Sequence, residues 1–189
     1  RPVRGILNIV EKMKSCKIKN IYIPYDNMAQ ASLINNVSIV GVKSLKDLYL
    51  HLKKEVNIKN STNVVNKTTK VNTLPSMDDV IGQEQAKRAL TIAIAGHHNI
   101  LLTGPPGTGK TMLAQTALGL LPDLTDQEVL EVSKIYGLTM NTSDIHYDRP
   151  FRSPHHTASK ISVVGGGPKA VPGEISLAHL GVLFLDEMP

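Results

Sequence analysis

Eight residues near the middle of the chain, Gly104-Pro105-Pro106-Gly107-Thr108-Gly109-Lys110-Thr111, have the spacing of a phosphate-binding loop: a glycine, four residues, then Gly-Lys-Thr. Glycines let the backbone wrap closely around an anion and turn several N–H groups inward. A helix that starts near Lys110 aims the positive end of its dipole at the same point. Lys110 is placed to reach the β- and γ-phosphates of a nucleoside triphosphate, and the Thr111 hydroxyl to ligate its Mg²⁺. Met112 extends the candidate binding stretch into the helix. The loop follows the apolar run "NILLTG" (99–104) and precedes "KTMLAQTALGLL" (110–121). Strand, glycine loop and helix in that order are the context such a motif requires.

The second half of a triphosphate site is an acidic residue at the end of another buried strand. "GVLFLDEMP" (181–189) supplies it, with Val182 to Leu185 as the apolar run and Asp186 and Glu187 at its end. Asp186 holds Mg²⁺ directly or through water, and Glu187 orients and deprotonates an attacking water. An Asp-Glu after four apolar residues is common in isolation. Its pairing with the loop upstream gives it weight.

Around these motifs the chain falls into two patterned stretches. Residues 1–52 alternate helix and strand signals. A helix is predicted from Ile6 to about Lys17, and strands at "IYIPY" (21–25) and "VSIVGV" (37–42). Between the strands a helix runs through Ala29–Ile34 with Asp26 as its N-cap. Ser44 with Asp47 resembles a capping box that opens "LKDLYLHL". This is an αβαβα module with parallel strands. Residues 53–73 are rich in Lys, Asn and Thr, too polar to offset chain entropy by burial, and read as a flexible linker. A basic nucleic-acid-binding arm is the competing reading of that stretch. From Met77 the pattern tightens. "DDVIGQEQAKRALTIAIAG" predicts a helix with apolar positions Ala86, Ala89, Leu90, Ala93 and Ile94 and a stop at Gly96. Pro122 ends the helix that begins at Lys110.

Taken together, "VIGQEQAKRAL", "GPPGTGKTMLAQ", "PFRSPHHTAS", "VGGG" and "PGEISLAHLGVLFLDEMP" resemble the magnesium-chelatase-like AAA+ ATPases, and among them the ComM/YifB family. The resemblance covers about residues 77–189. It implies a P-loop NTPase fold, a three-layer αβα core with sheet order 5-1-4-3-2, preceded by part of an α+β domain. In that order "ILLTG" is strand one, a short strand near Phe151–Ser153 is strand two and "VLFLD" is strand three. Strand one then lacks its sheet neighbours, since strands four and five, the sensor residues, the arginine finger and the lid are expected after Pro189. On this reading the 189 residues are a piece of a longer protein, and made alone are expected to fold poorly and to show negligible ATP turnover. The resemblance also implies ATP and Mg²⁺ as cofactors, a homo-hexamer, and DNA as working partner in branch migration during natural transformation. A chelatase motor subunit and a nucleotide-dependent scaffold are the alternatives. A base-side role for Val80, Ile81 and Gly82 rests on the resemblance alone.

"RPVRGILNIVEK" at the start resembles the end of the Lon-protease-like domain of ribosomal S5 type. Lon-like proteases use a Ser–Lys dyad, and the lysine slot after the turn at Val3–Gly5 holds Leu7 here. The resemblance therefore implies no peptidase activity. It divides the chain into that domain (1–52), the linker (53–73) and the first half of the ATPase domain (74–189). It further implies that "SVVGGGPKAVPGEI" forms a β-hairpin projecting toward a ring's pore, where Lys160 and Lys169 meet a phosphate backbone. An ordinary surface loop is the plain alternative. His155, His156 and His179 lack a cysteine or an i,i+4 pairing, so zinc is disfavoured.

With 41% hydrophobic and 20% charged residues the composition is that of a globular chain. A formal net charge of +5 permits a polyanionic partner without establishing one. The single Cys16 excludes an internal disulfide, in keeping with the cytoplasmic location the family implies. No run of 18 apolar residues and no charged-then-apolar leader is present, so no membrane partner is expected.

Overall fold

The computed structural model describes residues 1–58, 75–139, 144–168 and 170–186. In chain order the elements are α1 (Ile6–Ser15), β1 (Asn20–Pro24), α2 (Met28–Ala31), β2 (Ser38–Val42), α3 (Leu45–Leu52) and α4 (Glu84–Ala95). Then follow α5 (Lys110–Leu120), α6 (Asp126–Tyr136), β3 (Phe151–Arg152), α7 (Lys160–Val164), β4 (Gly165–Gly166), β5 (Val171–Pro172), α8 (Glu174–Leu177) and β6 (Val182–Leu183). The result is a mixed α/β chain with small parallel sheets. It divides into two units, Arg1–Thr68 with Thr125–Tyr147, and Thr69–Leu124 with Asp148–Pro189.

In the first unit β1 and β2 pair in parallel, Ile21 opposite Ile39 and Ile23 opposite Gly41, as expected. Period-two alternation turns Ile21 and Ile23 inward and leaves Asn20 and Tyr22 exposed. The inward isoleucines meet Ile6, Leu7 and Val10 of α1, and Met28, Ala31 and Ile34 close the core. The expected N-cap at Asp26 is not formed. Asp26 lies inside a short 3₁₀ turn, Tyr25–Asn27, and the helix after it shrinks to Met28–Ala31. The reason is the fully buried Asn27, whose Oδ1 accepts from the Val3 N–H (2.7 Å) and whose Nδ2 donates to the Val3 carbonyl (3.1 Å). That side chain pairs with the N-terminal segment like a strand instead of capping its own helix. Ser44 caps α3 as predicted, its Oγ accepting from the Asp47 N–H.

Helix α6 also belongs to this unit. Its first turn is held by a capping box in which Thr125 Oγ1 accepts from the Glu128 N–H and Glu128 Oε2 accepts from the Thr125 N–H. Val129 and Val132 are buried, Lys134 reaches Glu11 of α1 at 2.6 Å, and the Gly5 N–H donates to the Gly137 carbonyl.

In the second unit α4 and α5 build a core from Val80, Leu90, Leu113 and Ala117, with Ile94, Leu102 and Val182 packed against it. Of the apolar positions predicted on α4, Ala89 faces solvent. Gly96 ends the helix as predicted. The strand expected at 99–104 is not formed: Leu101 is 84% exposed and only Leu102 turns onto the core. A strand is defined by its ladder, and among the described residues no segment pairs with this one. The strands expected as two and three do pair in parallel, Phe151 opposite Val182 and Arg152 opposite Leu183. The expected burial of 182–185 is only partial, since Leu185 is 39% exposed.

The expected hairpin is present in shortened form. Gly165 opposes Pro172 and Gly166 opposes Val171 in an antiparallel pair. Ser162 to Val164 are helical rather than extended, because Ser159 caps α7 through a bond from the Ser162 N–H (3.1 Å). Gly173 closes the hairpin base where a Cβ would sit 2.3 Å from the Gly165 nitrogen. The base is also held by Arg152, whose Nε and Nη2 donate to the two carboxylate oxygens of Glu174 at 2.5 and 2.7 Å. Those bonds hold the Glu174 carboxyl below its ordinary range against an opposing pull from burial, and the Arg152 charge adds to them. A depressed carboxyl stabilises the fold fully above its unfolded value and loses that contribution as pH falls through the folded value. Glu174→Gln is therefore expected to cost about 1 kcal/mol at neutral pH. The difference from wild type should shrink toward zero once pH drops below about 4, the unfolded glutamate range. Denaturant titrations of both forms between pH 7 and pH 3 measure it. A pH-independent difference contradicts the assignment.

Candidate nucleotide site

The loop before α5 takes the shape its glycines permit. Gly107 and Gly109 have φ of +79° and +81°, where any other residue is strained, although an added Cβ at either meets no atom within 4 Å. The constraint there is the backbone, and the space beside it is open. Gly109 is the N-cap of α5 and supplies no side-chain acceptor, and no acidic residue stands in the first turn. The helix dipole's positive end is thus left for another anion. Lys110 curls over the loop, its Nζ donating to the carbonyls of Gly104 (3.0 Å) and Pro105 (2.9 Å). Thr108 Oγ1 donates to the same Pro105 carbonyl (3.0 Å). Pro105, Pro106, Thr111 and Met112 are exposed. Open left-handed glycines, an uncapped helix start and a lysine that can exchange carbonyl oxygens for phosphate oxygens suit a triphosphate.

The α4–α5 core sets the loop and the acidic motif on a common base. Leu102 ahead of the loop and Val182 ahead of Asp186 both pack on it. Asp186 is exposed just past β6, and Glu187 lies outside the described residues. Val80 is a core residue, Ile81 is 95% exposed and Gly82 has φ of +70°. Lys160 opens α7 on the surface, while Lys169 and most of the 53–73 stretch lie outside the described residues. Among the described residues no three His, Cys, Asp or Glu gather into a metal cluster, so Mg²⁺ would depend on Thr111, Asp186 and the nucleotide's own oxygens. His155 Nδ1 is bonded to the Thr157 hydroxyl (2.8 Å), and its ring lies 4.1 Å from that of His156.

Sequence reasoning missed Gln83, whose Nε2 donates to the Thr108 carbonyl at 2.6 Å. It also missed Arg149, which donates to the carbonyls of Pro122 and Leu180 and so ties the end of α5 to the approach of β6. Neither bond follows any local period, so no sequence signal announced it.

A glycine loop that opens a helix and a parallel strand pair that leads to Asp186 share one core within a mixed α/β chain. The family described as magnesium chelatase, subunit ChlI, matches residues 76–189. Competence protein ComM of Haemophilus influenzae is 43% identical over 195 aligned residues, covering all of this chain and 38% of that protein. YifB of Escherichia coli is 60% identical over 116 residues, 60% of this chain and 23% of YifB. Archaeal Lon protease of Halobacterium salinarum is 43% identical over 54 residues, 29% of this chain and 8% of the protease. The chain belongs to the magnesium-chelatase family and is ComM/YifB-like within it. It spans well under half the length of the ComM relative. Among the described residues no helix is long and apolar enough to cross a membrane.

Proposed function

We propose that this chain carries the nucleotide site of a cytoplasmic, ATP-driven AAA+ motor of the ComM type, working on DNA as a homo-hexamer. The observation that carries the reading is the loop at the start of α5, with Lys110 bonded to its carbonyls and two left-handed glycines. The amides of Gly107, Thr108 and Gly109 and the Lys110 ammonium hold the phosphates, and Thr111 and Asp186 hold Mg²⁺. Mg²⁺ held there would supply positive charge to offset that of the phosphates. Glu187 takes a proton from a water whose oxygen bonds to the γ-phosphorus, the bond between that phosphorus and the β–γ bridging oxygen breaks, and ADP and phosphate leave. Residues 74–189 are the ATPase part in this reading, with Val80, Ile81 and Gly82 on the base side. Residues 53–73 are a linker, and the hairpin lysines Lys160 and Lys169 contact DNA.

Residues 1–52 are read as the remnant of a Lon-like domain without peptidase function. The slot for a catalytic lysine holds Leu7, which is 2% exposed in the α1 core and has no proton to exchange. Casein is expected to stay intact with the complete protein that carries these residues, and cleavage that survives Lys110→Ala would overturn this.

The family description favours a second reading, a chelatase motor subunit. ATPase assays on the complete protein separate the two. Stimulation by branched or single-stranded DNA supports the first, whereas stimulation only by a porphyrin with partner subunits supports the second.

A further inference from the structure

Gln83 is left-handed (φ 61°, ψ 34°), directly after the left-handed Gly82. Residues with a Cβ are held in that conformation only when the surrounding structure requires it. Gln83 occupies the N-cap position of α4 but makes no capping bond with its side chain. Instead its Nε2 donates to the Thr108 carbonyl at 2.6 Å, across 25 residues of sequence. The loop's other described side-chain bonds, from Thr108 and Lys110, come from inside the loop. In a trans peptide unit the C=O and N–H point opposite ways. A Thr108 carbonyl turned toward Gln83 therefore turns the Gly109 N–H to the other side. That N–H is among the donors assigned to phosphate above.

We propose that Gln83 is a positioning residue for the nucleotide site: it pins the Thr108–Gly109 peptide from outside the loop and so sets affinity for the triphosphate. The assignment rests on the ATP reading above. It gives the segment 80–83 a second task besides packing, namely to couple the start of α4 to the phosphate side of the site.

The test measures Mg-ATP binding and steady-state turnover of the complete protein carrying these residues. The forms compared are wild type, Gln83→Met, Gln83→Gly and Lys110→Ala. Gln83→Met keeps the length and loses the donor. Gln83→Gly loses the donor and relaxes the left-handed backbone, so it is expected to fold. Both should bind ATP about tenfold more weakly, the scale of one hydrogen bond. KM should rise by a similar factor with kcat within about twofold. The nucleotide-free melting temperature of Gln83→Gly should be unchanged or raised. Wild-type affinity in Gln83→Gly, with binding still abolished by Lys110→Ala, overturns the Gln83 assignment and leaves the ATP reading standing. An affinity loss matched by a lower nucleotide-free melting temperature in Gln83→Gly also overturns it, because the role is then only structural. No ATP binding by wild type overturns both.

Discussion

Lys110→Ala in the complete protein is expected to lower ATP turnover at least about 100-fold, the scale of losing one preorganised charge-stabilising donor. The fold should survive. Among the described residues the Lys110 ammonium bonds to the carbonyls of Gly104 and Pro105, and the core beneath the loop is made by Leu90, Leu113 and Ala117. Alanine also has the higher helix propensity at the first position of α5. The nucleotide-free melting temperature should therefore stay within about 2 °C of wild type, since surface changes of this kind are nearly neutral. Phosphate-release assays alongside thermal melts make the comparison. Turnover within a few-fold of wild type would remove Lys110 from the chemistry.

Glu187→Gln is expected to separate binding from hydrolysis. Glutamine keeps the size of the side chain but cannot take a proton, so the step that depends on a general base slows about 10²- to 10⁴-fold. ATP affinity should remain within about twofold, because in the proposed site the loop and Lys110 hold the phosphates. The pair of variants is diagnostic. One loses ATP and turnover together, and the other holds ATP without turning it over. If Glu187→Gln weakens binding as much as Lys110→Ala does, Glu187 is part of the binding shell and another group is the base.

The shape of the glycine loop was legible in the sequence because its motif demands particular residues at fixed spacing. Left-handed Gly107 and Gly109 and the helix start at Lys110 lie where the motif puts them. The parallel strand pair of the first unit was legible for another reason: period-two burial of Ile21 and Ile23 is a local signal. What escaped depended on residues distant in sequence. Asn27 gives its side chain to Val3 rather than to a helix cap. Gln83 reaches Thr108, and Arg152 reaches Glu174. Helix α6 is a different case, since Thr125 and Glu128 spell a capping box that could have been read. The segment 99–104 shows the limit of reading apolar runs. Its leucines suit a buried strand, yet Leu101 stays exposed because no described segment pairs with it.

The account depends on a triphosphate seated in the glycine loop at the start of α5. Isothermal calorimetry of Mg-ATP into the complete protein tests that contact without assuming any substrate or partner. Saturable heat with about one ATP per chain, lost in Lys110→Ala, is the expected result. No heat from wild type, or equal heat from wild type and Lys110→Ala, would contradict it.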